Sequence, residues 1–126
     1  RGSNMGNIEN GQFILPREVI KAACNNFIDM PKNTIKSATF CCGCGGGLLT
    51  DDLIDLRIKG AKPRMHALRK SEQESGVNTL AAICAICKSQ FSKVLPNYDF
   101  DPYMVVSVHQ LVSDAIVLKH KLKQKD

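Results

Sequence analysis

The stretch from Asn78 to Leu95 reads NTLAAICAICKSQFSKVL and joins a short apolar run to a longer helical pattern. The run from Asn78 to Ile83 predicts a buried strand that ends at Cys84. Residues Ile86 to Leu95 predict the helix that follows this strand. Since buried strands that alternate with helices are typical of parallel sheets, this unit predicts an α/β fold.

The same alternation continues toward the C-terminus. The β-branched run from Met104 to Val108 predicts a second strand, and His109 to Lys119 predicts a final helix. Toward the N-terminus, apolar residues at helical spacing predict a helix from Pro16 to Phe27. The fold class that results is a small parallel sheet flanked by helices.

The middle of the chain predicts a strand, a glycine loop and two helices. Ala38 to Cys42 is a short apolar run that predicts a strand, and glycines follow it at once. Thr50 predicts a helix start, and Gly60 predicts the end of that helix. Pro63 predicts the start of a second helix, which runs to Gly76.

The composition is that of an ordinary globular chain. Its 126 residues are 44% hydrophobic and 23% charged, which corresponds to about one domain. No window approaches the roughly 18 uncharged apolar residues that a membrane span needs, and residues 1–15 lack the pattern of a secretory signal. We therefore expect a cytoplasmic chain without a membrane span of its own.

The positive charge is concentrated at the C-terminus. The formal net charge is +5, yet residues 119–126 contain four lysines and one aspartate. Residues 1–118 are therefore nearly neutral, and no aromatic-studded basic stripe of the kind that binds nucleic acid is present. We expect one domain over residues 1–118, a flexible basic tail over 119–126, and no nucleic-acid partner.

Six cysteines are the unusual feature of the composition, and five of them form two tight clusters. One cluster is Cys41-Cys42-Gly43-Cys44, followed by Gly45, Gly46 and Gly47, and the other is Cys84-Ala85-Ile86-Cys87. Both clusters follow predicted strands, so they are expected to meet at the carboxyl edge of the sheet. Thiolates in such number favour zinc or an iron–sulfur cluster over hard cations.

Other chemistries for the same residues are less consistent with the pattern. Disulfides are disfavoured because the chain lacks secretory features and adjacent cysteines cannot bridge without strain. A phosphate loop is disfavoured because no GxxxxGK[ST] motif follows the glycines. A CxxC motif alone is also compatible with a metal-free dithiol oxidoreductase.

Four further residues are candidates for minor roles. Cys24 lies on an apolar helix face and is expected to pack there, whereas Cys44 is a candidate auxiliary ligand. Lys88 directly follows Cys87, and His109 follows a predicted strand end. Both are candidate catalytic residues, although a solvated lysine and a capping or packing histidine are the simpler interpretations.

Two strings place the chain near a known family: TFCCGCGGGLLTDD (Thr39 to Asp52) and AAICAICKSQF (Ala81 to Phe91). They resemble the second half of the cysteine-rich CCG domain of heterodisulfide-reductase catalytic subunits. Further strings are similar to the DsrK branch of that family, from the membrane complex DsrMKJOP, and the whole resemblance covers roughly residues 4–118. These strings are PREVIKAACNNF (Pro16 to Phe27), GAKPRMHAL (Gly60 to Leu68) and VSVHQLVSDAIVL (Val106 to Leu118).

The resemblance implies an oxidoreductase subunit that carries a non-cubane [4Fe-4S] cluster. The positions that match the family's ligands are Cys41, Cys42, Cys84 and Cys87. The implied substrate is a disulfide or trisulfide on a small sulfur carrier of the DsrC type. The implied partners are the other subunits of a membrane-bound redox complex, which would hold the chain at the membrane.

The family has a fifth ligand in an upstream Asp-Pro-Cys motif that this sequence lacks. The resemblance therefore implies a fragment that begins after the first strand and first ligand of its domain. Such a fragment is expected to be inactive alone, and to be metal-free, zinc-bound or loaded with a simpler centre. A structural zinc module for subunit assembly and a metal-free dithiol oxidoreductase stay open as alternatives.

Overall fold

A computed structural model describes residues 11–48 and 50–116 of the chain. Within these ranges lie four α-helices and two β-strands, connected by turns and short 3₁₀ helices. None of the helices there combines the length and apolar character needed to cross a bilayer. In chain order the elements are α1 (Leu15–Ala23), α2 (Ile54–Ser75), β1 (Leu80–Ala82), α3 (Ala85–Val94), β2 (Val105–Ser107) and α4 (Val108–Ala115).

The two strands form a parallel sheet, which confirms the predicted fold class. Leu80 pairs with Val105 and Ala82 pairs with Ser107. Helix α3 connects the strands and packs against β2, as expected for a strand, helix, strand unit. The structure therefore has the strand, the CxxC motif and the following helix in the predicted order. Both strands are shorter than predicted.

Helix α2 is the central helix and differs from the prediction, because it runs unbroken through Gly60 and Pro63. Its buried positions recur every three or four residues on both sides of Pro63, so one continuous stripe packs into the core. This packing offsets the cost of about 3 kcal/mol for proline inside a helix. Gly76, with a φ of 65°, ends the helix as predicted.

Helix α1 is shorter than the predicted helix from Pro16 to Phe27, since it ends at Ala23 and Cys24 is extended. The reason is a tertiary contact that the periodicity does not reveal. Arg17 in the first turn binds both carboxylate oxygens of Asp29, at 2.6 and 3.0 Å. This Arg17–Asp29 ion pair holds the residues that follow α1 against the first turn of that helix.

The predicted strand from Ala38 to Cys42 is also wrong. Residues Lys36–Ala38 form a 3₁₀ turn, and the residues that follow join neither described strand. The main-chain oxygen of Phe40 instead accepts hydrogen bonds from the guanidinium group of Arg64, at 3.0 and 3.3 Å. The buried Arg64 side chain thus forms the hydrogen bonds that an adjacent strand would otherwise form with the Phe40 carbonyl.

The predicted helix start at Thr50 is displaced. A 3₁₀ turn over Asp51–Leu53 comes first, and the Thr50 side chain forms no capping hydrogen bond. Asp51 contacts the ammonium group of Lys93 at 2.9 Å, so its carboxylate bridges to α3. The predicted helix from His109 to Lys119 is observed as α4, but it is shorter, because it ends at Ala115 and Ile116 is extended. Residues 117–126, including the basic tail, lie outside the described residues.

The core lies between α2, α3 and the two strands. Met65, Leu68, Val94 and Leu95 are at most 2% exposed and form its centre. Cys42 and Cys44 belong to the same buried cluster, so the cysteine loop is packed into the core on one side.

A glycine-to-alanine pair tests how closely this loop packs on α2. A Cβ at Gly43 would lie 2.2 Å from the Arg57 main-chain oxygen, and Gly43 has a φ of 97°. We expect Gly43→Ala to lower the free energy of unfolding by about 3 kcal/mol or more, since a backbone clash adds to left-handed strain. Urea denaturation followed by circular dichroism measures the loss.

The matched control is Gly46→Ala, in the same loop. Gly46 also has a positive φ, 69°, but nothing lies within 4 Å of its added Cβ. The free energy of unfolding should therefore fall by only about 1 kcal/mol, the cost of left-handed strain. Equal losses in the two variants would contradict the close packing of Gly43.

Candidate metal centre

The first cysteine cluster is a tight loop whose thiols approach each other. Cys42 and Cys44 are buried, Cys41 is exposed, and the sulfur atoms of Cys42 and Cys44 are 3.5 Å apart. The main-chain N–H of Gly43 donates to the Cys41 sulfur at 3.3 Å. Positive φ angles at Gly43, Gly46 and Gly47 fold the loop, as the glycine run predicts.

The second cluster lies where β1 passes into α3. Cys84 is the residue before the helix, and Cys87 lies in its first turn. The main-chain N–H groups of Cys87 and Ile86 point at the Cys84 sulfur and lower the pKa of this exposed thiol. A helix N-terminus stabilises a thiolate in this way because its first amides lack partners within the helix.

The two clusters meet at Cys42, although only one of them follows a strand. Hydrogen bonds from the Cys87 thiol, and from Cys44 and Cys41, lower the pKa of Cys42 from 9.0 to about 5. The contact with Cys42 raises the pKa of Cys87, and burial raises that of Cys44 to about 11. Negative charge therefore gathers on Cys42, while Cys44 and Cys87 keep their protons.

A cavity of about 1020 Å³ adjoins these thiols. All six cysteines line it, together with Gly45, Gly46 and Gly47, whereas Gly43 faces α2 instead. Cys24 lies just after α1 and is half-buried at the wall of this cavity, rather than packed on the face of a longer helix. Its walls are otherwise largely apolar, including Ile20, Phe27, Phe40, Ile83 and Ile86.

The two candidate catalytic residues are placed apart from this cavity. Lys88 is exposed on α3, and its main-chain N–H donates to the Cys84 carbonyl. His109 is exposed in the first turn of α4. Neither side chain lines the cavity, so both catalytic assignments stay predictions without support from a contact.

Two arginines and a glutamine near the thiols were missed by the sequence analysis. Arg57, Arg64 and Gln90 are at most 7% exposed. The helical spacing contains a signal for their burial, because both arginines lie on the buried stripe of α2 and Gln90 lies beside buried Phe91. Polar residues at apolar positions of a helix indicate a specific partner, since burial without one is costly.

The thiols fit a thiolate-bound metal group in their chemistry. They are soft donors, and all six line one cavity. Within residues 11–48 and 50–116, no three Cys, His, Asp or Glu side chains are arranged around a single ion. Cys41, Cys42, Cys84 and Cys87 stay predicted ligands, with Cys44 as a predicted auxiliary ligand.

Comparison with known proteins gives two relatives. The chain is 43% identical over 114 residues to the Hdr-like menaquinol oxidoreductase iron-sulfur subunit 2 of Archaeoglobus fulgidus, and 40% identical over 114 residues to the Hdr-like menaquinol oxidoreductase iron-sulfur subunit of Archaeoglobus profundus. Each match covers 89% of this chain and 20% of the relative, so the chain spans about one fifth of their length. No family model and no solved structure matches the chain.

The lowered pKa of Cys84 predicts its reactivity in the metal-free chain. A thiolate reacts with iodoacetamide and a thiol does not, so a lowered pKa keeps Cys84 reactive at lower pH than an ordinary cysteine. We expect the midpoint of its rate against pH to lie below that of the same cysteine in the unfolded chain. Peptide mass mapping follows the Cys84 rate alone.

The control is the same chain in concentrated urea, where α3 is melted and its amides no longer face the sulfur. There the Cys84 midpoint should return to the value of a free thiol. A midpoint in the folded chain at or above the urea value would contradict the arrangement of the helix N-terminus.

Proposed function

We propose that this chain is the thiol-bearing part of an Hdr-like iron–sulfur subunit, and that it holds a [4Fe-4S] cluster. The proposed ligands are Cys41, Cys42, Cys84 and Cys87. The shared cavity carries the proposal, because it is lined by thiols of two clusters that are far apart in sequence. The two relatives support it, since both are named as iron–sulfur subunits.

The proposed cluster is of the non-cubane type, as the resemblance to heterodisulfide-reductase subunits implies. When bound, such a cluster supplies one-electron transfer and an iron on which a substrate sulfur can bind. In a multi-iron centre the thiolates bind different metal atoms, so they need not surround a single ion. This agrees with thiols that line one cavity, among which the sulfur atoms of Cys42 and Cys44 are 3.5 Å apart.

The residues of the chain have distinct parts in this proposal. Buried Cys42 and partly buried Cys87 keep water from the inner side of the site, whereas Cys41 and Cys84 lie at its exposed side. The Gly43 N–H donates a hydrogen bond to the Cys41 sulfur, and the first amides of α3 favour the thiolate form of Cys84. Such bonds stabilise negative charge on sulfur and thereby raise a reduction potential.

The proposed reaction is the reduction of a sulfur–sulfur bond. A disulfide accepts two electrons and two protons and yields two thiols, and oxidation of one quinol releases the same number of each. The relatives are named as parts of a menaquinol oxidoreductase, so a membrane quinol is a matching electron source for the whole complex. The proposed substrate is a disulfide or trisulfide on a sulfur carrier of the DsrC type.

The cavity supports a substrate that enters as a polypeptide arm. Its volume of about 1020 Å³ exceeds that of most small-molecule pockets. Apolar side chains form much of its wall, and the thiols lie along it. The proposed partners are this carrier and the other subunits of a membrane-bound redox complex, at which the chain would lie on the cytoplasmic side.

Anaerobic reconstitution of the chain with iron and sulfide tests the proposed cofactor. We expect a brown protein that binds iron and sulfide, with about four iron atoms per chain for a complete [4Fe-4S] cluster and fewer for the simpler centre that four ligands can hold. Serine in place of Cys42 or Cys87 should reduce the iron content to about half or less, because a serine oxygen is a poor iron ligand in such a cluster. Iron and sulfide analysis and electron paramagnetic resonance measure the outcome.

The matched control is Cys24→Ser, which removes a cavity thiol that is not a predicted ligand and should leave the iron content unchanged. One zinc per chain from an iron-replete anaerobic preparation, with no iron, would favour the structural zinc module instead. A colourless, metal-free chain that reduces disulfides through Cys84 would favour the dithiol oxidoreductase. Either result would contradict the proposed cluster.

A further inference from the structure

The two buried arginines of α2 lie seven positions apart, about two helical turns, and so share one face of the helix. Arg57 is 3% exposed and Arg64 is 7% exposed. A buried guanidinium is costly unless its donors are satisfied. Their hydrogen-bond partners therefore show what the helix uses them for.

Arg64 binds the chain directly before the first cysteine. Its guanidinium group donates to the Phe40 carbonyl at 3.0 and 3.3 Å, to the Thr34 carbonyl at 3.2 Å, and to the Thr39 hydroxyl. All of these acceptors are neutral. Since Phe40 directly precedes Cys41, Arg64 fixes the position of the chain where the cysteine loop begins.

Arg57 binds the chain after the loop and also the helix of the second cluster. It donates to the Thr50 carbonyl at 3.2 Å and to the side-chain oxygen of Gln90 at 2.6 and 2.9 Å. The Gln90 amide in turn donates to the Arg57 carbonyl at 3.5 Å. Gln90 lies on α3, three positions after Cys87, so Arg57 connects the exit of the loop to the CxxC helix.

The middle of the loop is held between these two contacts. A Cβ on Gly43 would lie 2.2 Å from the Arg57 carbonyl and 3.0 Å from the Ala61 nitrogen, so the loop backbone touches α2 directly. The loop is thus anchored to one helix at its entry, middle and exit. Its shape is therefore independent of any sheet partner.

The charges of the two arginines also suit a thiolate site. Arg64 has no carboxylate hydrogen-bond partner among residues 11–48 and 50–116. Burial lowers the pKa of Arg64, and the negative charges of Asp29, Cys41 and Cys42 oppose that effect. Burial raises the pKa of Cys44, and Arg57, which also contacts the Asp51 carboxylate at 3.5 Å, opposes part of that rise.

We propose that Arg57 and Arg64 are positioning residues that brace both ends of the cysteine loop on α2. The bracing of the loop does not require a bound metal. Its effect on a bound centre rests on the proposed function.

The first test measures the loop without metal, from the limiting alkylation rate of the buried thiols Cys42 and Cys44 at high pH, where the loss of a positive charge no longer changes their ionisation. Arg64→Gln removes the fork that holds Phe40, so we expect alkylation to accelerate by about tenfold or more, as loss of a hydrogen bond to a charged group predicts. Arg64→Lys should lie between Arg64→Gln and wild type, because one ammonium group cannot reach all three acceptor residues. Arg57→Lys should likewise accelerate alkylation.

The matched control is Arg69→Gln, on the same helix and away from the cavity. Arg69 donates to the Tyr98 carbonyl at 2.6 Å and lies over the Phe100 ring at 3.8 Å, so it is also a packed guanidinium that binds main chain. Its loss should leave the alkylation rates unchanged. Circular dichroism identifies variants that keep the wild-type helix content, and only these are compared.

The second test measures iron release to a chelator after reconstitution. We expect Arg64→Gln and Arg57→Lys to lose iron faster than wild type, by about tenfold, and Arg69→Gln to match wild type. If wild type itself takes up no iron, the proposed function fails while the alkylation result still decides the bracing. Folded Arg64→Gln and Arg57→Lys with wild-type alkylation rates, or equal acceleration in Arg69→Gln, would overturn the proposal.

Discussion

The close approach of the Gly43 backbone to helix α2 is the contact on which the site depends. Any side chain at this position would meet the Arg57 carbonyl at 2.2 Å. Because the loop lies against the helix, Cys42 and Cys44 are carried into the core, where Cys42 reaches Cys87. Without this approach the two cysteine clusters would lie on separate surface segments.

The electrostatics of the site follow from the same packing. Burial alone would raise the pKa of Cys42, yet hydrogen bonds from Cys87 and its neighbours lower it to about 5. Amides at the start of α3 stabilise a thiolate at Cys84, and two buried arginines lie on the other side of the loop. The chain thus provides positive partners wherever negative charge on sulfur would form. This is the environment that soft metal centres require of their protein.

The local sequence pattern predicts the structure better after Gly76 than before it. After it, local pattern and observed structure agree, because β1, α3 and β2 are consecutive elements whose pairing needs only short connections. Before it, several predictions failed at residues with distant partners. Asp29 binds Arg17 and shortens α1, Phe40 binds Arg64 and forms no strand, and the stripe of α2 continues past Pro63. Periodicity contains no information about such contacts.

The sequence by itself determined the parallel α/β class, the placement of Cys84 after a strand, and a set of thiols suited to a soft metal. These depend on residue type and local spacing, which act over a few residues. Only the tertiary structure decided that the first cluster reaches Cys87 without a strand beneath it. It also decided that Arg57 and Arg64 hold that cluster in place. The reason is physical: a buried guanidinium binds whichever carbonyls the folded chain brings within about 3 Å, and their sequence separation does not matter.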